Sequence, residues 1–211
     1  YSIHFAKDKE TGFAVGASGT ILRTRDGGFR WERPSIPPPD VTFSGVYARS
    51  EKSAVAVGAR GTVLATTDGG ANWKPVAVDT RDHLYSVAFA AADAKIGWIC
   101  GTYGRILKTT DGGTTWKTVP SPTTEHLLKI SALDDAHAVA VGVNGILLTS
   151  ENGGETWLVA KPCGTAALIS GAVFVNSKTI IAAGYDGCVA RSGDLGVTWS
   201  RENIHSRADL L

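Results

Sequence analysis

Aspartate recurs at one fixed place along this chain, and a carboxylate repeated in this way could serve as a general acid, a general base or a cation ligand. In the segment TTDGGTTW, residues 109–116, Asp111 stands five residues before Trp116. The same spacing occurs in four further segments, at Asp26 and Trp31, Asp68 and Trp73, Asn152 and Trp157, and Asp194 and Trp199. The sequence therefore holds five copies of one polar motif.

The five copies favour a structural role over a catalytic one. Asn152 keeps an acceptor oxygen but cannot ionise, and five equivalent positions do not supply the unlike groups that must converge once in a reaction site. An aspartate at the start of a turn accepts hydrogen bonds from backbone N–H groups, and the Ser or Thr two residues earlier can extend that network. The motif predicts a turn followed by a buried tryptophan, and no catalytic residue.

The period of the motif predicts the fold. The tryptophans are 41 to 43 residues apart, which is typical of stacked supersecondary units. Each period contains four short apolar stretches bounded by Gly, Asp, Thr or Pro, which predicts four strands. Both faces of the second strand are apolar, one with large and one with small side chains. We therefore expect an all-β protein, a β-propeller of five four-stranded antiparallel blades.

A single domain is expected over residues 1–211, with blades at approximately 1–38, 39–80, 81–122, 123–164 and 165–211. The interval from Trp199 across the chain ends to Trp31 matches the other intervals. This favours a closed five-bladed ring, although five blades of a larger propeller would give the same count. The proline-rich stretch 33–40, RPSIPPPD, is expected to stiffen the crossing between blades 1 and 2.

Composition argues against several classes of function. The 21 Lys and Arg against 20 Asp and Glu leave a net charge of +1, which favours no nucleic-acid partner. No apolar run is long enough for a membrane-spanning helix, so direct membrane insertion is not expected. No cofactor is expected. The chain opens on YSIHFA with neither Met nor a signal segment, which is expected of a processed or trimmed form from which any export signal has gone.

The motif is the Asp-box, or BNR repeat, of sialidases, sortilin-type receptors and several other propellers. The longer form GWICGTYGRILKTTDGGTTW, residues 97–116, resembles the photosystem II stability and assembly factor family of BNR propellers, and residues 12–31 and 54–73 repeat it. The resemblance implies a non-enzymatic scaffold that binds a protein or peptide, such as a subunit of a membrane complex. It also implies an exported location: periplasm, thylakoid lumen or extracellular space. That family has seven blades, whereas five are counted here.

Two other functions are weaker alternatives. A carbohydrate-binding, lectin-like propeller would repeat similar polar and aromatic residues at equivalent surface positions. A sialidase-type glycosidase would have six blades and an Arg-Ile-Pro element, whereas Arg33 is followed directly by Pro34. The chain also lacks the length for the loops that carry sialidase active-site residues.

A binding face is expected where the loops between second and third strands share an end with the connections between blades. The equivalent loop residues are Ser18, Arg60, Tyr103, Asn144 and Asp186. Because they differ between blades, they do not favour a repeated carbohydrate pocket. An arginine and tyrosine cluster on blades 2 and 3 suits a carboxylate or an acidic peptide, and ordinary solvated loops are the alternative. The predicted partner-binding residues are Arg60, Arg81, Tyr103, Arg105, Asn144 and Asp186.

Two histidines on the same predicted face are candidate metal ligands. His83 and His126 occupy equivalent places, with Asp82 and Glu125 beside them. Such a group could bind a metal, but equivalent places on neighbouring blades more often reflect the repeat itself. No metal site is therefore expected.

The three cysteines are too few and too irregularly spaced for a zinc site or a disulfide framework. Cys163 and Cys188 both belong on the predicted loop face, so a disulfide between them is one possibility, and it would suit an oxidising compartment. Cys100 replaces a valine of the repeat and is expected to be a buried apolar thiol.

Overall fold

The computed structural model describes residues 1–33, 40–90, 95–165, 167–202, 204 and 208–210. In these residues it contains nineteen β-strands and two single-turn 3₁₀ segments, Ala59–Gly61 and Thr102–Gly104. Most of the predicted proline-rich crossing, residues 34–39, lies outside the described residues. No helix among the described residues has the length and apolar character needed to span a bilayer.

The strands follow the chain in five groups, one for each period of the repeat. The first group is β1 (Ser2–Phe5), β2 (Gly12–Val15) and β3 (Ile21–Thr24). The second is β4 (Phe43–Ala48), β5 (Ala54–Gly58), β6 (Val63–Thr66) and β7 (Lys74–Pro75). The third is β8 (Leu84–Phe89), β9 (Gly97–Gly101), β10 (Ile106–Thr109) and β11 (Lys117–Val119). The fourth is β12 (Leu127–Ala132), β13 (Ala138–Gly142), β14 (Leu147–Ser150) and β15 (Leu158–Ala160). The fifth is β16 (Ile169–Phe174), β17 (Ile180–Gly184), β18 (Val189–Ser192) and β19 (Ser200–Arg201).

Each group forms one antiparallel sheet in which strands adjacent in sequence pair with each other. In the first sheet the fourth strand is reduced to a single bridge between Glu32 and Arg23. The predicted all-β propeller with five blades is confirmed.

Two kinds of sheet face alternate through the molecule. One face carries the larger residues of the second strand, such as Phe13, Val55 and Trp98, and we call it the knob face. The opposite face carries a row of three apolar side chains across strands one, two and three, and we call it the socket face. In blade 2 this row is Val46, Ala56 and Leu64, all of which are buried.

Four hydrophobic cores lie between the blades, because each knob face packs on the socket face of the following blade. Phe13 of blade 1 packs with the blade 2 row, and Trp98 of blade 3 packs with Ile130 and Leu148 of blade 4. The interfaces between blades 2 and 3 and between blades 4 and 5 are built in the same way. The three middle blades are therefore covered on both faces, as the apolar second strands predict.

The described residues do not show the expected packing of blade 5 on blade 1. The innermost strands pack in the order β1, β4, β8, β12 and β16, and within the described ranges no comparable packing joins β16 to β1. Val173 on the knob face of blade 5 is 55% exposed, and Ile3 on the socket face of blade 1 is 57% exposed. Equal intervals along the sequence count the blades but carry no information about which blade faces cover each other.

Candidate binding face

The Asp-boxes form the turns between third and fourth strands. In blade 2, the Thr66 hydroxyl donates to Asp68 Oδ1 at 2.9 Å, and the Gly70 N–H donates to Thr66 Oγ1 at 2.9 Å. The Asn72 N–H closes the turn by donating to Asp68 Oδ1 at 2.9 Å. The other four boxes repeat this closing bond, at Arg30 and Asp26, Thr115 and Asp111, Thr156 and Asn152, and Thr198 and Asp194.

These hydrogen bonds keep the box carboxylates ionised. The backbone N–H and side-chain amide of Asn72 lower the pKa of Asp68 to about 2, because donors favour the charged form. In the fourth blade Asn152 makes the same turn with its amide oxygen, so the turn requires an acceptor rather than a charge. The geometry thus ties each box side chain to its own loop.

The opposite end of each blade carries the loops between second and third strands. In blade 2, Arg60 (φ 57°, ψ 37°) and Gly61 (φ 68°) both lie in the left-handed region, and the Thr62 N–H donates to Ala59 O at 3.1 Å. This is a type I′ turn. The corresponding residues of all five blades have positive φ: Ser18 (49°), Arg60 (57°), Tyr103 (55°), Asn144 (53°) and Asp186 (54°).

Each tip is joined to the chain segment that leads into the next blade. The Gly61 N–H donates to Asp82 O at 2.8 Å, and a Cβ on Gly61 would collide with the carbonyl of Thr80. Only glycine therefore fits at this position. Loop tips and blade connections form one continuous layer, as the sequence predicts.

Three of the tips carry residues that the turn does not favour. Type I′ turns prefer Asn, Asp or Gly at the first central position, and Asn144 and Asp186 meet that preference. Ser18, Arg60 and Tyr103 do not. Among these three, Arg60 and Tyr103 on adjacent blades carry the large side chains, for which positive φ is strained.

The structure places the predicted partner-binding residues in two environments. Arg60, Arg81, Tyr103, Asn144 and Asp186 are exposed, and Tyr103 is 68% exposed. Arg105 is half-buried, since its Nε donates to Asp82 Oδ2 at 2.7 Å. Arg105 therefore anchors the connection between blades 2 and 3, while Arg60 and Tyr103 project beside it.

His126, which the sequence offers as a possible metal ligand, supports Tyr103 instead. The Tyr103 N–H donates to His126 Nδ1 at 3.0 Å, and the two rings meet edge to face with centroids 5.2 Å apart. Glu125 accepts a hydrogen bond from Asn144 Nδ2 at 2.7 Å. Within the described residues, no group of three His, Cys, Asp or Glu side chains is placed to hold a metal. Sequence analysis missed the role of His126 because 23 residues separate the two partners.

A shallow cavity lies at the boundary between blades 1 and 2 on this face. It is lined by Ser18, Asp40, Ala59, Arg60 and His83. Arg60 therefore lines a concave surface that contains both polar and apolar groups.

The cysteines differ in their bonding. Cys163 and Cys188 form a disulfide, with Cα atoms 5.7 Å apart, that joins the connection before blade 5 to the loop directly before strand β18. Cys100 is fully buried, and burial raises the pKa of its thiol far above the usual range. It therefore remains a neutral apolar group.

The blade architecture and the five box turns define the molecule as an Asp-box β-propeller. The chain belongs to the family of the photosynthesis system II assembly factor YCF48, whose sequence profile matches residues 1–76, 37–121 and 71–161. No curated protein matches the chain by sequence.

Several solved structures share the fold. A structure described as YCF48 bound to D1 peptide is 20% identical, with 95% of this chain and 79% of that chain covered and a TM-score of 0.50. An ancestral GH74 enzyme is 14% identical, with 98% and 32% covered and a TM-score of 0.78. The WD40 repeats of RRP9 are 12% identical, with 95% and 64% covered and a TM-score of 0.75. At these identities the likeness shows the propeller fold alone.

Proposed function

We propose that this protein is a non-catalytic scaffold that binds a peptide segment of a partner protein on its loop face. The observation that carries the proposal is the strain at Arg60 and Tyr103. Two adjacent blades hold a cationic and an aromatic side chain at left-handed turn positions where Asn or Asp would be more stable. Arginine and tyrosine are the residue types that dominate binding energy at protein interfaces.

The chemistry of this cluster suits an acidic peptide or a chain terminus. Arg60 presents a guanidinium that can bind a carboxylate with two hydrogen bonds, and Arg81 lies on the adjoining connection. Tyr103 offers a rigid ring that is fixed by His126. That a relative is described as bound to a D1 peptide supports a peptide ligand, and a subunit of a membrane complex fits the family.

The same family membership and the disulfide support a cellular location outside the cytoplasm. The Cys163–Cys188 pair suits an oxidising compartment, so we propose an exported protein of the periplasm, the thylakoid lumen or the extracellular space. Accessible-cysteine labelling of the native protein, with and without reductant, tests this: labelling of Cys163 without reductant would contradict it.

The function can be tested without disturbing the fold. Arg60→Asn and Tyr103→Asn place a favoured residue in each type I′ turn, so both variants should fold at least as well as the parent. Ser18→Asn is the matched control on blade 1. Binding is measured by fluorescence anisotropy to acidic peptides with free or amidated C-termini.

We expect each of the two variants to weaken binding about tenfold, which corresponds to roughly 1.4 kcal/mol, while Ser18→Asn binds normally. Equal binding by all three variants would contradict the assignment of this face. Binding of an immobilised glycan in place of every peptide would favour the lectin alternative, and turnover of a chromogenic glycoside would contradict the non-catalytic assignment.

A further inference from the structure

The outer edge of blade 4 differs in sequence from the outer edges of the other blades. The outermost strand of a sheet has unpaired backbone groups on one side, and natural proteins protect such edges with charged residues or proline. The two residues that follow the box tryptophan are Glu32 and Arg33 in blade 1, Lys74 and Pro75 in blade 2, Lys117 and Thr118 in blade 3, and Ser200 and Arg201 in blade 5. In blade 4 they are Leu158 and Val159. The edge of blade 4 therefore lacks the protection that each other blade carries.

The apolar side chains of this edge are accessible to solvent. Leu158 is 55% exposed and Val159 is 51% exposed, and they lie on opposite faces of β15 because successive strand residues point to opposite sides. Ala160, the last residue of the strand, is half-buried. Blades 3 and 5 cover the two faces of blade 4, and the exposed edge lies outside both contacts.

The repeat indicates which backbone groups of β15 point outward. In blade 1, Arg23 and Glu32 exchange two hydrogen bonds, at 2.9 and 2.8 Å. Thr149 and Leu158 are the equivalent pair in blade 4. Hydrogen-bonded and non-hydrogen-bonded pairs alternate along an antiparallel ladder, so the N–H and C=O of Val159 point away from β14.

Proline at the equivalent position of blade 2 agrees with this direction. Pro75 has no N–H, and proline is tolerated in an edge strand where the missing N–H would face solvent. Among the described residues, no hydrogen bond joins the N–H or C=O of Val159 to another segment of the chain. β15 thus presents a donor and an acceptor at an apolar edge.

This edge is complementary to itself in the antiparallel orientation. Two copies of β15 related by a two-fold axis at Val159 would exchange two backbone hydrogen bonds between their Val159 residues. The same arrangement sets Leu158 of each copy opposite Ala160 of the other, in a non-hydrogen-bonded pair whose side chains lie close together. A large side chain therefore meets a small one on both sides of the axis.

The charges at the two ends of β15 favour the same orientation. Glu155 precedes the strand and Lys161 follows it, and both side chains are exposed. Neither forms an ion pair with another described residue. Antiparallel pairing brings the acidic end of one copy beside the basic end of the other, whereas parallel pairing would bring like charges together.

From these observations we propose that the β15 edge binds the β15 edge of a second copy of this chain and joins the two fourth blades into one continuous sheet. The same patch is used by both copies, so the association closes at a two-fold symmetric dimer. Because β15 runs from its box turn towards the loop face, antiparallel pairing directs the two loop faces to opposite ends of the dimer. Neither copy then obstructs the loop face of the other.

Sedimentation equilibrium over a wide concentration range measures the association, and the wild-type chain should fit an equilibrium between monomer and dimer. Val159→Pro reproduces the residue of blade 2 and removes the outward N–H in both copies. It should weaken the dimer about tenfold or more, since two hydrogen bonds are lost, and circular dichroism should show an unchanged monomer fold. Thr118→Pro is the matched control at the equivalent place in blade 3, and it should dimerise as the wild type does.

A second variant tests the apolar contact at the same edge. Leu158→Lys introduces the residue that blades 2 and 3 carry at this place, at Lys74 and Lys117. Each dimer would then hold two additional like charges beside the axis, so dimerisation should be lost. The melting temperature of the monomer should change little, because the Leu158 side chain is already half in water.

The charges at the strand ends test the orientation. Glu155→Lys and Lys161→Glu should each weaken the dimer several-fold at low salt, because like charges then meet across the axis. The double variant restores opposite charges and should recover the wild-type association. High salt should reduce the differences among these chains.

A wild-type chain that stays monomeric at every concentration would overturn the proposal. Association that persists in both Val159→Pro and Leu158→Lys would show that another surface is used, and so would an equal loss in Thr118→Pro. Failure of the double charge variant to recover would contradict the antiparallel orientation.

Discussion

At the scale of single residues, the tips of the loops between second and third strands show two things: the backbone conformation that a type I′ turn requires, and the side chains that the binding face exposes. Every tip needs positive φ, and Asn144 shows that an ordinary turn residue satisfies this requirement. Arg60 and Tyr103 occupy the same conformation at a cost, since residues other than Gly, Asn and Asp lose roughly 1 kcal/mol or more in the left-handed region. Their side chains are the reason to look for a ligand there.

Replacement of Tyr103 by Asn is predicted to stabilise the protein. The change removes a strained residue from a type I′ turn, so the free energy of unfolding should rise by about 1 kcal/mol. Urea unfolding followed by tryptophan fluorescence measures it. The reciprocal variant, Asn144→Tyr, is the matched control and should lose a similar amount; a gain in both variants would show that φ strain does not decide the outcome.

His4 makes the contact between blades 1 and 2 sensitive to pH. Its Nδ1 accepts a hydrogen bond from the Ala48 N–H at 3.1 Å, and its ring stacks on Tyr47 with centroids 4.1 Å apart. Burial lowers the pKa of His4 below its ordinary value of 6.5. The folded state therefore binds the proton less readily than the unfolded chain, and stability is lost as the pH falls below about 6.5.

His4→Asn is expected to flatten this pH dependence, because an amide oxygen can accept from Ala48 and does not titrate in this range. Melting temperatures between pH 7 and pH 5 provide the test. His137→Asn is the control, since His137 is bonded to Asp134 in an exposed turn of another blade. An unchanged slope in His4→Asn would assign the acid sensitivity to other groups.

At the scale of elements, each blade is held by its own turns and by the blade that follows. The box turn joins strands three and four, while the type I′ turn is hydrogen-bonded to the connection that leads to the next blade. The Cys163–Cys188 disulfide adds a covalent bond at the last of these connections. It fixes the place where the chain enters blade 5.

Reduction of this disulfide is predicted to lower the free energy of unfolding by about 2 to 4 kcal/mol, as expected for a loop closed over a sequence separation of 25 residues. Denaturant unfolding with and without dithiothreitol measures the loss. The double variant Cys163→Ala, Cys188→Ala is the control, and reductant should not change its stability. An equal effect of reductant on both proteins would contradict the assignment.

At the scale of the whole molecule, four hydrophobic cores join successive blades within the described residues. Leucine occupies one socket position in blades 1 to 4, at Leu22, Leu64, Leu107 and Leu148. The last three are buried, whereas Leu22 is only half-buried. The repeat thus offers the same residue in covered and uncovered environments.

Leu148→Ala is therefore predicted to cost about 2 to 5 kcal/mol, because it leaves a cavity between blades 3 and 4. Leu22→Ala at the equivalent place should cost under about 1 kcal/mol, since its side chain remains partly in water. Thermal and urea unfolding compare the two. Equal losses would show that Leu22 is covered as fully as Leu148.

Much of the local structure could be predicted from the sequence. The period of the tryptophans and the alternation of strands predict five blades. Asn152, which stands where the other boxes have Asp, predicts that the box turns are structural. Both predictions succeed because turns and strand faces depend on residues close together in the chain. The equivalence of the loop tips followed from the same repeat.

Other features required the tertiary structure. The support of Tyr103 by His126 and the hydrogen bond of Arg105 to Asp82 depend on contacts between residues 23 positions apart in the chain. The sequence by itself determined how many blades there are and what each turn needs. Only the tertiary structure decided which blade faces cover each other among the described residues, because packing between blades joins side chains far apart in the chain, and the count of residues in a repeat carries no information about those contacts.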